Sequence, residues 1–260
     1  MPEKKTADDG HILHFPQPFR FEAGRDYDFL RRGALKTSWH NLFRRFAEIV
    51  LDPFERIFLG FAISGAENID VFDSRGAVVV CNHVSALDCT FLEFAFPYKR
   101  TYFTTLESNF RIPVVRHLIR WLGAVPIPSK TSGLAAFTRA VTKAVEEGDC
   151  VIYYPEGILY PKYNGLRDFS EGAFRLACRT GVPVIPAVVT FRERRGIFGK
   201  RISPSLRVLP PMEPGSDCAA LSAACRAAME KAIAGINEKN GVGSDPYLFI
   251  SGRDPLRHEK

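Results

Sequence analysis

An α/β domain built on a mainly parallel sheet flanked by helices, with an amphipathic helical region at its amino-terminal side, is the fold class this sequence predicts. Three observations carry it. Short apolar runs of strand length recur along the chain and alternate with stretches whose apolar residues return every three or four positions. The chain has 260 residues, 46% of them hydrophobic, which is enough to bury one full core. No internal repeat or low-complexity tract interrupts the alternation.

In chain order, residues 1–27 read as an N-terminal extension and 28–60 as the amphipathic region. Residues 61–240 form the α/β domain and 241–260 a C-terminal tail. In the amphipathic region Leu35, Trp39, Leu42, Phe43, Phe46, Ile49, Val50, Phe54, Ile57 and Phe58 recur at helical spacing, with charged residues between them. Pro53 is expected to break that helix. Its apolar stripe either packs on the domain's own core or lies in a membrane interface, with Arg31, Arg32, Lys36, Arg44 and Arg45 meeting anionic headgroups. Strands are expected at 77–81, 101–105, 150–154, 182–190 and 206–209. Leu134, Phe137, Val141 and Val145 mark a helix ending before Gly148, and 220–236 read as another. The tail's Gly241-Val242-Gly243-Ser244-Asp245 precedes Pro246 instead of opening a helix, so it reads as a linker and not a phosphate loop.

The segment Asn82-His83-Val84-Ser85-Ala86-Leu87-Asp88 follows directly on the run at 77–81. It places a histidine and a carboxylate five residues apart where a buried strand gives way to a helix, the position at which open α/β sheets hold ligands. An imidazole can take a proton from a hydroxyl near neutral pH, and a carboxylate can fix its tautomer and stabilise the imidazolium. Alone, this spacing turns up by chance in many chains, and a capping or core-satisfied histidine is its commoner explanation. Further blocks follow: Tyr154-Pro155-Glu156-Gly157 after the run at 150–153, then Phe169-Ser170-Glu171-Gly172-Ala173-Phe174, then Val182-Pro183-Val184-Ile185-Pro186-Ala187.

In that order the blocks resemble the glycerolipid acyltransferase family, which holds the lysophosphatidate and glycerol-3-phosphate acyltransferases. Asn-His-x-Ser-x-x-Asp is matched from Asn82 to Asp88, aromatic-Pro-Glu-Gly from Tyr154 to Gly157, and Val-Pro-x-x-Pro from Val182 to Pro186. The resemblance implies a glycerol-3-phosphate acyltransferase-like fold, with residues 61–240 as the catalytic domain. It implies an O-acyltransferase that moves a fatty acyl group from acyl-CoA or acyl-carrier protein to a hydroxyl of a 1-acylglycerol-3-phosphate-like acceptor. His83 is then the general base, Asp88 its orienting carboxylate, and Asn82, Ser85, Tyr154, Pro155, Glu156 and Gly157 line the substrate site. Two departures stand out. Ser129 occupies the place of the arginine in the family's second block, and Leu159 that of the arginine following Pro-Glu-Gly. In the family those arginines are associated with the acceptor phosphate, whose bidentate recognition Ser and Leu cannot copy. Lys130, Lys162, Arg167 and Arg175 are candidate substitutes, Lys130 and Arg167 the foremost, although each also reads as an ordinary surface charge.

No Gly-x-Ser-x-Gly elbow occurs, so direct transfer is expected in place of a serine acyl-enzyme. Ser85 is as well explained by capping. Glu156 either binds acceptor or ties loop amides together, and amides around Gly157 are the candidate oxyanion donors. The missing arginines keep open a lyso-lipid acceptor without a terminal phosphate. A catalytically silent membrane-surface binding module is the reading from another class.

Composition narrows the setting. Six cysteines without Cys-x2-Cys pairing suit reduced core thiols and a cytoplasmic location. The opening residues lack the apolar core of a signal peptide. The longest apolar run, at 57–63, is too short for a membrane span, so a peripheral position on the inner face of a membrane is expected. A formal charge of +6 suits anionic lipid or a coenzyme A thioester. No nucleic-acid motif accompanies it. His11, His14, His40, His117 and His258 form no ligand spacing, so no metal and no cofactor are expected beyond the acyl donor.

Overall fold

The structure, a computed structural model, describes residues 19–69, 75–97, 99–196 and 199–250, without the side chains of 34–36, 40 and 196. His11, His14, His258, the Leu35 and Lys36 side chains, and most of the extension lie outside what is described. Seven strands form one sheet: β1 (Ala62–Ser64), β2 (Ala77–Cys81), β3 (Thr101–Leu106), β4 (Ala124–Ile127), β5 (Cys150–Tyr153), β6 (Val184–Gly196) and β7 (Gly199–Val208). Their spatial order is β1-β7-β6-β2-β5-β3-β4, and all neighbours are parallel except the β6–β7 hairpin.

β2 sits between β5 and β6, with Val79 opposite both Ile152 and Ile185. All five of its residues are buried, because helices cover both faces; this is why its sequence is a continuous apolar run and not an alternating one. Val78, Val80 and Val151 point to the layer made by α4 (Thr131–Glu146), α5 (Gly172–Thr180) and α6 (Cys218–Lys239). Val79, Cys81 and Ile152 point to the opposite layer, against Phe91, Leu92 and Phe96 of the segment that begins with α2 (Asp88–Ala95). The short helix α3 (Val115–Trp121) follows β3 on that side. Asp217 opens α6 by accepting from the amides of Ala219 and Ala220 at 2.9 and 3.0 Å.

The amino-terminal region departs from expectation at Pro53, and its apolar stripe takes one of the two orientations left open. α1 (Ala34–Phe54) runs through Pro53 without breaking and widens into a π-helical turn over Glu55–Leu59. A wider turn is one way to absorb the missing proline donor. Its apolar stripe does not pack on the domain's core. Trp39, Leu42, Phe46, Ile49, Val50, Ile57 and Phe58 are exposed, Ile49 at 72% and Ile57 at 74%, while the face turned inward carries Arg44 and Glu55. Arg44 binds Glu93 at 2.5 Å and the carbonyls of Phe96 and Lys99, and Glu55 accepts from Thr90 Oγ1 at 2.6 Å. The helix is therefore tethered by polar groups and presents its apolar face outward. Among the expected headgroup cations, Arg44 is thus turned inward, Arg32 pairs with Asp149 and Glu147, and Arg31 stands over the Trp121 ring.

No helix among the described residues is long and apolar enough to cross a membrane. All six cysteines are free thiols.

Candidate active site

The carboxyl ends of β2, β3 and β5 open onto a cavity of about 630 Å³. His83 and Tyr154 stand on its wall, delivered by the residues that follow β2 and β5. Asp88 is the first residue of α2, so the four intervening residues of loop and turn bring its carboxylate back to the imidazole: Asp88 Oδ2 lies 3.0 Å from His83 Nδ1. The same oxygen accepts from the amides of Val84 and Ser85 at 2.8 and 2.9 Å. Asp88 is fully buried, and burial raises its pKa; the His83 ring and the two amides oppose that shift. The amino-terminal end of α2 also favours a negative charge there. With Nδ1 donating to Asp88, the second ring nitrogen, Nε2, keeps its lone pair free to take a proton. Tyr154 stacks on the imidazole, ring centroids 4.3 Å apart and planes 23° from parallel, fixing the ring's other degree of freedom.

Other residues of the two blocks stand behind the cavity and hold its wall. Asn82 clamps the end of β2 to β6, its Nδ2 donating to Val189 O at 2.9 Å and its Oδ1 accepting from Val189 N at 2.8 Å. The buried Glu156 accepts from the His83 amide at 3.2 Å and the Arg167 amide at 3.1 Å, so it acts as the tie between loops. Arg167 pairs with that carboxylate, donates to Ile158 O and lies over Tyr160. Ser85 Oγ accepts from the Leu87 amide at 3.1 Å in the turn before α2. Pro155 accepts from the Ser170 amide through its carbonyl. Gly157 lines the cavity at φ 75°, a conformation glycine adopts freely, but its amide donates to Tyr154 O at 3.0 Å and is committed to the turn. Lys130 pairs with Glu22 away from the cavity.

The two departures from the family pattern also have positions. Ser129 donates to Glu107, which also accepts from the Ala23 amide, so the second block ends in an internal hydrogen bond. Leu159 lies on the cavity wall. One arm of the cavity runs under α3, lined by Phe103, Ile112, Val115 and Ile119; the other runs between α4 and α5, past Phe137, Val141, Arg175 and Arg179. Cys89 on the wall is a poor nucleophile, since burial pushes its thiol up to about 12. Arg179 escaped the sequence reading; the signal was present in the i, i+4 spacing of Arg175 and Arg179 on a helix whose other face is apolar. Among the described residues no group of three His, Cys, Asp or Glu side chains could hold a metal ion.

Comparison with known proteins relates the chain to acyltransferases. The chain is 33% identical over 150 residues to a Brassica napus chloroplastic protein named 1-acyl-sn-glycerol-3-phosphate acyltransferase BAT2, covering 56% of this chain and 41% of that one. It is 32% identical to the Arabidopsis thaliana chloroplastic protein LPAT1 of the same activity name, covering 56% and 39%. A Borreliella burgdorferi protein named 1-acyl-sn-glycerol-3-phosphate acyltransferase is 27% identical, covering 54% of each. The match thus spans about two fifths of the length of the two plant relatives. The fold is shared with the crystal structure of the 1-acyl-sn-glycerophosphate acyltransferase PlsC from Thermotoga maritima, at a TM-score of 0.56 and 21% identity, covering 77% of this chain and 81% of that one. Residues 60–190, half of the chain and the segment that holds both the His83–Asp88 pair and the Pro-Glu-Gly turn, match the family described as Acyltransferase, and the chain belongs to that family.

Proposed function

We propose that the protein transfers a fatty acyl group from a thioester, acyl-CoA or acyl-carrier protein, to a hydroxyl of a 1-acylglycerol-3-phosphate-like acceptor at a membrane surface. The observation that carries this reading is the His83 Nδ1–Asp88 Oδ2 contact of 3.0 Å, with His83 on the wall of a cavity lined largely by apolar side chains. His83 Nε2 takes the acceptor's hydroxyl proton and the oxygen attacks the thioester carbonyl. The tetrahedral intermediate expels a thiolate, which recovers the proton from the imidazolium and leaves as free thiol. The arm under α3 accommodates an acyl chain, its walls being Phe103, Ile112, Val115 and Ile119. The outward stripe of α1, with Val114 and Leu118 of the adjoining α3 segment exposed beside it, is suited to lie in the interface of a bilayer in which the acceptor is dissolved.

The test is to incubate the purified protein and its His83→Ala form with palmitoyl-CoA and a panel of lyso-lipids in micelles, following free coenzyme A and acylated products by mass spectrometry. Product that disappears in the variant, with folding intact, is expected. Transfer retained in His83→Ala would overturn the mechanism, and no transfer by the wild type with any donor and acceptor would leave the membrane-surface binding module. A second reading, an acceptor without terminal phosphate, is favoured by Leu159 on the cavity wall where the family's third block carries its arginine.

A further inference from the structure

The arm of the cavity between α4 and α5 differs in chemistry from the apolar arm under α3. Gly172, Arg175, Leu176 and Arg179 line it from one face of α5, at the i, i+3, i+4, i+7 spacing of a helical stripe. Phe137, Thr138 and Val141 of α4 face them. Arg175 and Arg179 are the only Lys, Arg, Asp or Glu side chains among the described residues on the cavity wall. Arg179 is braced across the groove, its Nη2 donating to Thr142 Oγ1 at 2.6 Å, which leaves four of its five donors uncommitted to that contact. Arg175 is restrained one turn back by Glu171 at 2.5 Å. Of the cations expected from sequence to replace the missing arginines, the two foremost are engaged elsewhere, Lys130 with Glu22 and Arg167 with Glu156 and Ile158 O, whereas Arg175 lines the cavity.

We infer that the α4–α5 arm is a phosphate-binding subsite in which Arg175 and Arg179 supply the charge that Ser129 and Leu159 lack. Two guanidinium groups one helical turn apart and continuous with the cavity that holds His83 can grip a terminal phosphate in the bidentate manner a lone lysine cannot. The hydroxyls of Thr138 and Ser170 on the same wall add neutral donors. The phosphate comes from one of two sources: the acceptor's glycerol phosphate or the coenzyme A of the donor. The assignment of a source rests on the acyl-transfer reading above; the subsite itself does not.

The experiment compares wild type with Arg175→Ala, Arg179→Ala and Glu171→Gln, and with Lys231→Ala, which removes an exposed α6 charge away from the cavity. Two readouts are taken. Calorimetric titration with coenzyme A and, separately, with monomeric lysophosphatidate measures binding without turnover. Steady-state assays measure kcat/KM for lysophosphatidate against monoacylglycerol, and for palmitoyl-CoA against palmitoyl-pantetheine. Each arginine variant is expected to weaken binding of one phosphate ligand roughly tenfold or more, as loss of a hydrogen bond to a charged group does. Glu171→Gln, which frees Arg175 from its competing carboxylate, should tighten it. Lys231→Ala should leave it unchanged.

A fall in the lysophosphatidate-to-monoacylglycerol ratio assigns the phosphate to the acceptor. A fall in the CoA-to-pantetheine ratio assigns it to the donor. Folded arginine variants that bind both ligands like the wild type overturn the subsite whatever the activity. Wild type that binds a phosphate ligand through these arginines yet transfers nothing keeps the subsite and removes the acyl-transfer reading.

Discussion

Replacing Asp88 by asparagine separates the charge of the carboxylate from its shape. Asp88 Oδ2 holds His83 Nδ1 at 3.0 Å and the amides of Val84 and Ser85 at 2.8 and 2.9 Å. An asparagine oxygen can keep all three as an acceptor, so the loop stays formed and, on the mechanism proposed above, the change falls on the imidazolium that develops as His83 takes the acceptor's proton. With charge centres ~4 Å apart and an effective dielectric of ~20, the lost attraction is about 4 kcal/mol. At 1.36 kcal/mol per decade this predicts a fall in kcat of about 10³-fold. The assay is continuous detection of the released coenzyme A thiol, run beside a thermal melt. The melting temperature should hold or rise, because the variant no longer buries a charge and Asp88 is fully buried. Activity within tenfold of wild type would refute the role given to Asp88, and a large loss of stability would show instead that the carboxylate builds the loop.

Glu55 is buried and its pKa is raised to about 7 by desolvation, so the native state binds its proton more tightly than the unfolded chain. Stability should then fall as pH rises from ~4.5 to ~7 and stay lower above that; Glu55→Gln removes the loss, gaining about 3 kcal/mol at pH 8 and nothing at pH 4. A denaturant titration at the two pH values checks it, and equal gains at both would refute the linkage. Asn82→Ala leaves the amide and carbonyl of buried Val189 without the partners they have now and should cost about 2–5 kcal/mol in the same titration. Ile49→Glu with Ile57→Glu replaces two exposed apolar side chains and should weaken sedimentation with anionic phospholipid vesicles by roughly 100-fold or more. Unchanged sedimentation would remove α1 from the membrane surface.

Burial on both faces made β2 legible, since a strand covered by helices must be apolar throughout, and Ala77–Cys81 was bounded as the apolar run is. The strands that escaped are those whose exposure or position breaks that rule. β4 carries Pro126 and lies at the sheet edge, where a missing donor is tolerated. The far ends of β6 and β7 pair Arg192 with Ser203 and Glu193 with Ile202 in an antiparallel hairpin that extends past the apolar residues. The His83–Asp88 contact could be foreseen because both residues sit in one strand-to-helix connection. Glu156 could not be assigned between two roles, because its partners, the amides of His83 and Arg167, lie 73 and 11 residues away. For Arg179 the i, i+4 spacing with Arg175 marks a shared helix face, but that this face meets the cavity depends on the packing of α5 beside α4.

α1 shows a further limit of pattern reading, and it bears on how substrate arrives. Periodicity gives the width of an apolar stripe but not which way it faces. Here the direction is set by two polar anchors on the opposite side, Arg44 with Glu93 and Glu55 with Thr90. Both partners belong to α2, the helix whose first residue is Asp88. The ring contact of Trp39 with Trp121, 6.2 Å between centroids, joins the exposed stripe to α3. Val115 and Ile119 of α3 line the cavity while Leu118 of the same helix is exposed. One short helix thus forms both part of the outer apolar surface and part of the cavity's inner wall. If α1 lies in a bilayer, as proposed above, an acyl chain leaving that bilayer meets apolar side chains of α3 on its way to the cavity, and α1 is joined through α2 to the carboxylate that pairs with His83.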